Sequence, residues 1–135
     1  MYQNILLPIA VDHERDVHRA LSVARALAGD GAKITALNVI DLLPSYATEY
    51  LPPDHLDSQI DGVRNALLGI LGDAPDVNVV VVQGHSGRTI VDYATENGID
   101  LIAIASHRPG LQDYFLGSTA ARVVRHAPCA VHVVR

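Results

Sequence analysis

The sequence predicts an α/β fold in one domain: a five-stranded parallel sheet with helices on both faces. Five short apolar runs alternate with longer segments whose apolar residues recur at helical spacing. The apolar residues are also of the kind that strands buried on both faces require. Aromatics make up only 4% of the 135 residues, with no Trp and one Phe, so the core is built from Val, Ile, Leu and Ala. A chain of this length suits one hydrophobic core and is too short for two.

Residues 5–11 read as a first buried strand, with Pro8 near its end, where a missing N–H does least harm. Residues 12–28 follow as a helix, with Val17, Ala20, Leu21, Ala24, Leu27 and Ala28 facing inward. Gly29-Asp30-Gly31 is expected to stop it with left-handed turn residues, ahead of a second strand over 33–40. Residues 41–53 hold Pro44, Pro52 and Pro53 and read as irregular. Asp54 is placed to cap a helix that turns Leu56, Ile60, Val63, Leu67 and Ile70 inward. A third strand spans 76–83. Ser86 is expected to cap a helix running to Asn97 and closed by Gly98. A fourth strand over 100–105, a short helix from Gly117-Ser118 to His126 and a last strand over 129–134 complete the chain.

The charge balance is acidic, −5 with His neutral, and no basic stripe exists, which argues against a general nucleic-acid binder. The single cysteine, Cys129, excludes an internal disulfide and is expected to be a buried structural thiol in a reducing compartment. No basic leader precedes the first strand, and no apolar run approaches the roughly 20 residues that span a bilayer, so a soluble, cytoplasmic protein is expected. Seven histidines show neither HExxH spacing nor a Cys/His cluster, and no metal site is expected. The G-x-S-x-G elbow and the G-x-x-x-x-G-K-[ST] phosphate loop are both absent. Catalysis beyond slow ATP hydrolysis or self-modification is therefore not expected.

In a parallel sheet of this kind ligands bind at the carboxyl ends of the strands, where strand order reverses. Residues 9–13, 39–44, 83–88 and 105–119 are the loops in question. The richest is Ala105-Ser106-His107-Arg108, running on to Gly117-Ser118-Thr119. The first amides of a helix beginning there lack intrahelical partners and carry the positive end of its dipole. Gly117 leaves room for an anion, Ser118 and Thr119 offer hydroxyls, and His107 and Arg108 add positive charge. A purely structural cap and turn would have the same composition. Gly84 and Arg88, in the turn after the third strand, are the next candidates, Arg88 for a ribose or phosphate.

The run Ile104-Ala105-Ser106-His107-Arg108-Pro109, then Tyr114-Phe115-Leu116-Gly117-Ser118 and the segment from Ala120 to Cys129, strongly resembles the carboxyl half of universal stress proteins. The short F-type subgroup, with its Ser-His-Arg-Pro loop, is the most similar. The opening Asn4 to Ile9, the strand Leu37-Asn38-Val39 and the turn at Gly84 match in order, so the resemblance covers essentially the whole chain. It implies strand order 3-2-1-4-5, a Rossmann-like adenine-nucleotide crevice and a homodimer paired through residues 130–134. It also implies adenine near Pro8, Ile9, Ala10 and Val39, with ribose and phosphates of ATP or AMP on residues 105–108 and 117–119. Asp12 is a candidate to hold Mg²⁺ through phosphates or simply to cap the first helix.

The chain departs from the family's nucleotide motif of Gly, two residues, Gly, nine residues, then Gly-Ser or Gly-Thr. Ala105 and Arg108 stand for the first two glycines, and only eight residues separate Arg108 from Gly117. Ala10 stands where an acidic residue is usual. The alternative function is a nucleotide-independent dimeric interaction module, presenting Tyr46, Tyr50, Leu42, Leu43 and Leu51.

Overall fold

Ile5, Leu6 and Leu7 have no exposure to solvent although their side chains alternate between opposite faces of a sheet. Such a strand must be central and covered on both sides. In the computed structural model, which describes residues 1–11, 14–106 and 116–135, it is β1 (Tyr2–Pro8). The chain continues through α1 (Glu14–Leu27), β2 (Ala28–Ile40), the short α2 (Ser45–Thr48), α3 (His55–Leu71) and β3 (Val77–Gln83). It ends with α4 (Ser86–Glu96), β4 (Leu101–Ala105), α5 (Ser118–His126) and β5 (Ala130–Val134). All strand pairs are parallel, in the order β3-β2-β1-β4-β5, as expected.

The sheet separates two apolar layers. On one face Ile5, Leu7, Ala36 and Ala103 meet Val17, Ala20, Leu21 and Ala24 of α1, with Leu71 of α3 beside them. On the other, Leu6, Leu37, Ile102 and Ile104 meet Ile90 and Ala94 of α4 and Ala120 and Val123 of α5. Leu67, also fully buried, packs with Ile40 and Val81 and holds α3 on the outer strands. The helical stripes read from sequence are thus the buried ones in α1, while in α3 full burial is confined to Leu67 and Leu71. Cys129 is half-buried against the second layer rather than fully buried, and burial, then the charge of Asp100, pushes its thiol above the ordinary range.

Several boundaries differ from the sequence expectation. β1 begins at Tyr2 because Asp100 holds its polar start. Its two carboxylate oxygens accept from Gln3 N at 2.9 Å and Asn4 N at 3.0 Å, while its own N–H donates to Asn4 O at 2.9 Å. The segment Gly29-Asp30-Gly31 does not separate helix from strand. Ala28 already pairs with Tyr2, and β2 runs through the glycines with a register shift, only Gly31 having positive φ (74°). In the stretch expected to be irregular, Ala47 N and Thr48 N donate to Pro44 O and form one short helix. Asp54 precedes α3 without a side-chain capping bond, and Ser86 is not the cap of α4: that position is His85, also without one.

An ion pair ties α1 to the connection before β3. Arg25 Nε and Nη2 donate to Asp76 Oδ2 and Oδ1 at 3.0 and 2.8 Å. That hydrogen bond from Arg25 is the main reason the Asp76 carboxyl lies below its ordinary range. Both side chains are nearly half exposed, so solvent screening limits the pair to about 0.2–1 kcal/mol. A carboxyl whose pKa falls on folding contributes stability above its unfolded pKa of about 3.9, and the contribution is lost as pH falls through the lower folded value. Asp76→Asn is expected to lower the urea midpoint at neutral pH, with the difference from the parent shrinking toward about pH 3. Leu67→Ala, which empties a fully buried site, should cost about 2–5 kcal/mol at every pH in the same titration.

Candidate functional site

The sheet order reverses between β1 and β4, and the two strands send their following chain to opposite faces. A cavity of about 230 Å³ opens there, at the carboxyl ends of β1, β2 and β4. Its apolar walls come from both layers: Val17 from the α1 face, and Leu37, Ile90 and Ile104 from the α4 face. Pro8, Ile9, Ala10, Val39, Ala105 and Thr119, all read from sequence as site residues, line it.

The loop after β1 is fastened to β2 at two atoms of one residue. Ile9 N donates to Leu37 O at 2.9 Å, and Asn38 Nδ2 donates to Ile9 O at 2.8 Å. Asn38 is buried and lines the cavity, yet sequence reasoning passed over it as a site residue. The signal was there: it is a lone amide inside the apolar run from Ile34 to Ile40, where an unpaired polar group would be costly.

Two further polar groups meet where α4 and α5 begin. Ser86 Oγ and Thr119 Oγ1 share a hydrogen bond of 3.0 Å, and both residues line the cavity. The two helices approach this closely because of Gly87, buried under Arg122: a Cβ there would stand 2.8 Å from Arg122 Cδ and 3.1 Å from its Cβ. The first-turn amides of both helices thus lie beside this hydroxyl pair. Ser86 belongs to the site through this bond, which a cap reading of the sequence missed. Asp16, in the first turn of α1, also lines the cavity and was likewise missed.

Other predicted residues stand apart from the wall. Gly84 serves the turn: its N–H donates to Ile40 O, and a Cβ would meet Thr89 Oγ1 at 2.4 Å. Arg88 does not face the crevice. It is 73% exposed on α4, 4.0 Å from Asp92 one turn on, because the residue two after Ser86 points away from the sheet. Ser106 is buried and donates its N–H to Val134 O. Gly117 and Ser118 lie at the start of α5, Ser118 exposed. Asp12, His107 and Arg108 lie outside the described residues. Among the described residues no group of three His, Cys, Asp or Glu side chains could hold a metal ion, and no helix is long and apolar enough to cross a membrane.

Fold and crevice define a doubly wound parallel α/β domain with a ligand-sized cavity at its switch point. The universal stress protein family matches residues 1–135, and the chain belongs to it. A universal stress protein of Thermus aquaticus is 30% identical over 140 residues, covering all of both chains. Universal stress protein UspA from Lactobacillus plantarum is 29% identical with a TM-score of 0.76, covering 99% of this chain and 98% of its own. A universal stress protein in complex with cAMP, 20% identical over 99% of this chain and 97% of its own, shares the fold at a TM-score of 0.65.

Asn38→Ala removes the donor to Ile9 O and is expected to cost about 1–2 kcal/mol, the cost of stranding one half-buried acceptor. Hydrogen exchange should speed up at the Ile9 amide while the amides of Ile5 to Leu7 keep their protection. Gly87→Ala should force α5 away from α4 and lower the melting temperature, with a cost of about 1–3 kcal/mol for overpacking.

Proposed function

We propose that the protein is a cytoplasmic regulatory module that binds an adenine nucleotide, ATP or AMP, in this crevice, and that it works as a dimer joined through β5. The observation that carries the reading is the chemistry of the cavity's two ends. Near β2 the wall is apolar and bounded by backbone, as a purine base requires: Ile9, Leu37 and Val39. At the start of α4 and α5 it turns polar, with two hydroxyls and first-turn amides suited to phosphate oxygens. The fold accommodates such a ligand, since a universal stress protein of the same fold holds cAMP.

Gly117 supports the same reading. Its φ of −59° and ψ of 153° suit any residue, and a Cβ would approach Ser106 O no closer than 3.7 Å. Backbone geometry does not require glycine there, whereas close approach of an anion to the start of α5 does. Ser118 and Thr119 then supply donors, with His107 and Arg108 adding charge. Pairing through β5 has a physical motive in its outer edge, which presents unpaired backbone groups.

The test is to identify nucleotide released from the purified, denatured protein and to titrate thermal stability with ATP, ADP and AMP. Ligand at about 100 times its dissociation constant should stabilise the fold by about 2.7 kcal/mol, and Gly117→Val should abolish the shift without lowering the ligand-free melting temperature. No bound nucleotide and no shift would overturn the reading.

A second reading has its own observation. Leu42, Leu43, Tyr46 and Tyr50 are 60%, 42%, 72% and 86% exposed along the connection between β2 and α3, a cluster suited to a protein partner. Partners recovered by pull-down that vanish on joint Tyr46→Ser and Tyr50→Ser substitution, with nucleotide absent, would favour a nucleotide-independent module.

A further inference from the structure

The crevice has chemically opposed walls, and their opposition bears on how a ligand lies in it. α1 packs on one face of the sheet and α4 and α5 on the other, so residues of the two layers confront each other across the carboxyl ends of β1 and β4. On the α4 and α5 side stand Ser86 and Thr119 with the first-turn amides. On the α1 side stands Asp16, half-buried, the one described lining residue that carries a charge at neutral pH. A phosphate is attracted to the first wall and repelled by the second. The group that reaches Asp16 must therefore be a neutral hydrogen-bond donor, since a carboxylate only accepts.

Resting on the nucleotide reading above, we infer that Asp16 is a specificity residue that accepts hydrogen bonds from the ribose hydroxyls of the bound nucleotide and so selects ribonucleotides over deoxyribonucleotides. Three features favour the ribose over the exocyclic amine of the base. The apolar surface suited to the base comes from β2 and the β1 loop, whereas α1 packs chiefly over β1 and β4. Asp16 thus stands beside the middle of the crevice, between the base end and the phosphate end, where a sugar must lie. A vicinal diol also offers a carboxylate two donors with one geometry, which strengthens the contact. The position after β1 where relatives of this sequence pattern carry an acid is Ala10, which also lines the cavity. Asp16 returns a carboxylate to the same space from the first turn of α1.

A role confined to offsetting the positive end of the α1 dipole would change stability but not the choice of ligand. The experiment reads ligand choice. Isothermal titration of the full chain with AMP, 2′-deoxy-AMP and inosine monophosphate should show AMP preferred over the deoxy form by about tenfold or more. Asp16→Ala should reduce that preference to near unity, and Asp16→Asn, which keeps one acceptor oxygen, should retain part of it. Equal binding of AMP and 2′-deoxy-AMP by the parent protein overturns the inference without any variant. So does an Asp16→Ala protein that keeps its ribose preference, or one that loses only its preference for AMP over inosine monophosphate, which would assign Asp16 to the base. Failure of all three nucleotides to bind the parent overturns the nucleotide reading itself, and the inference with it.

Discussion

Pairing of β1 with β2 on one side and β4 on the other is the constraint on which the remaining structure depends. It requires a strand whose every central residue is apolar, because neither face of it meets water, and Ile5, Leu6 and Leu7 supply that. Burying three such side chains contributes roughly 5–9 kcal/mol of transfer free energy before chain entropy is counted. The carboxylate of Asp100 sets the polar end of β1 beside the start of β4, so the central pairing is held in register from its amino-terminal side.

The reversal of strand order follows from that pairing, and the crevice follows from the reversal. Chain leaving β1 passes to the α1 layer, while the helices beginning after β3 and β4 lie on the opposite layer. Between them no helix covers the strand ends. The gap is bounded by whatever side chains the first turns of α1, α4 and α5 happen to present. Here those are an acid on one side and two hydroxyls on the other, an asymmetry that belongs to this chain rather than to the architecture. Small residues make the hydroxyl wall possible, since Gly87 admits Arg122 and lets α4 and α5 begin side by side.

Much of the fold was legible in residue order because buried parallel strands leave unbroken apolar runs and helices leave a periodic stripe. Val17, Ala20, Leu21 and Ala24 face the core as their spacing demands. The misjudged features involve contacts distant in sequence. Gly29 to Gly31 resembles a turn by local chemistry, but Tyr2 recruits Ala28 and the strand extends through them. Ser86 resembles a cap, yet its hydroxyl bonds Thr119, 33 positions away. Half of the crevice was read correctly, as Pro8, Ile9, Ala10, Val39, Ala105 and Thr119 end strands or start helices. Asn38 and Asp16 escaped because one hides within a strand and the other within a helix.

The sequence by itself determined the class of fold, the strand order that its family likeness implied, and the end of the sheet at which a ligand must bind. Those depend on hydrophobic period and on loop position, both of which are properties of neighbouring residues. Only the tertiary structure decided which polar groups share the crevice. Asp16 and the Ser86–Thr119 pair are separated by about half the chain or more, and their opposition exists because two helical layers close on opposite faces of one sheet.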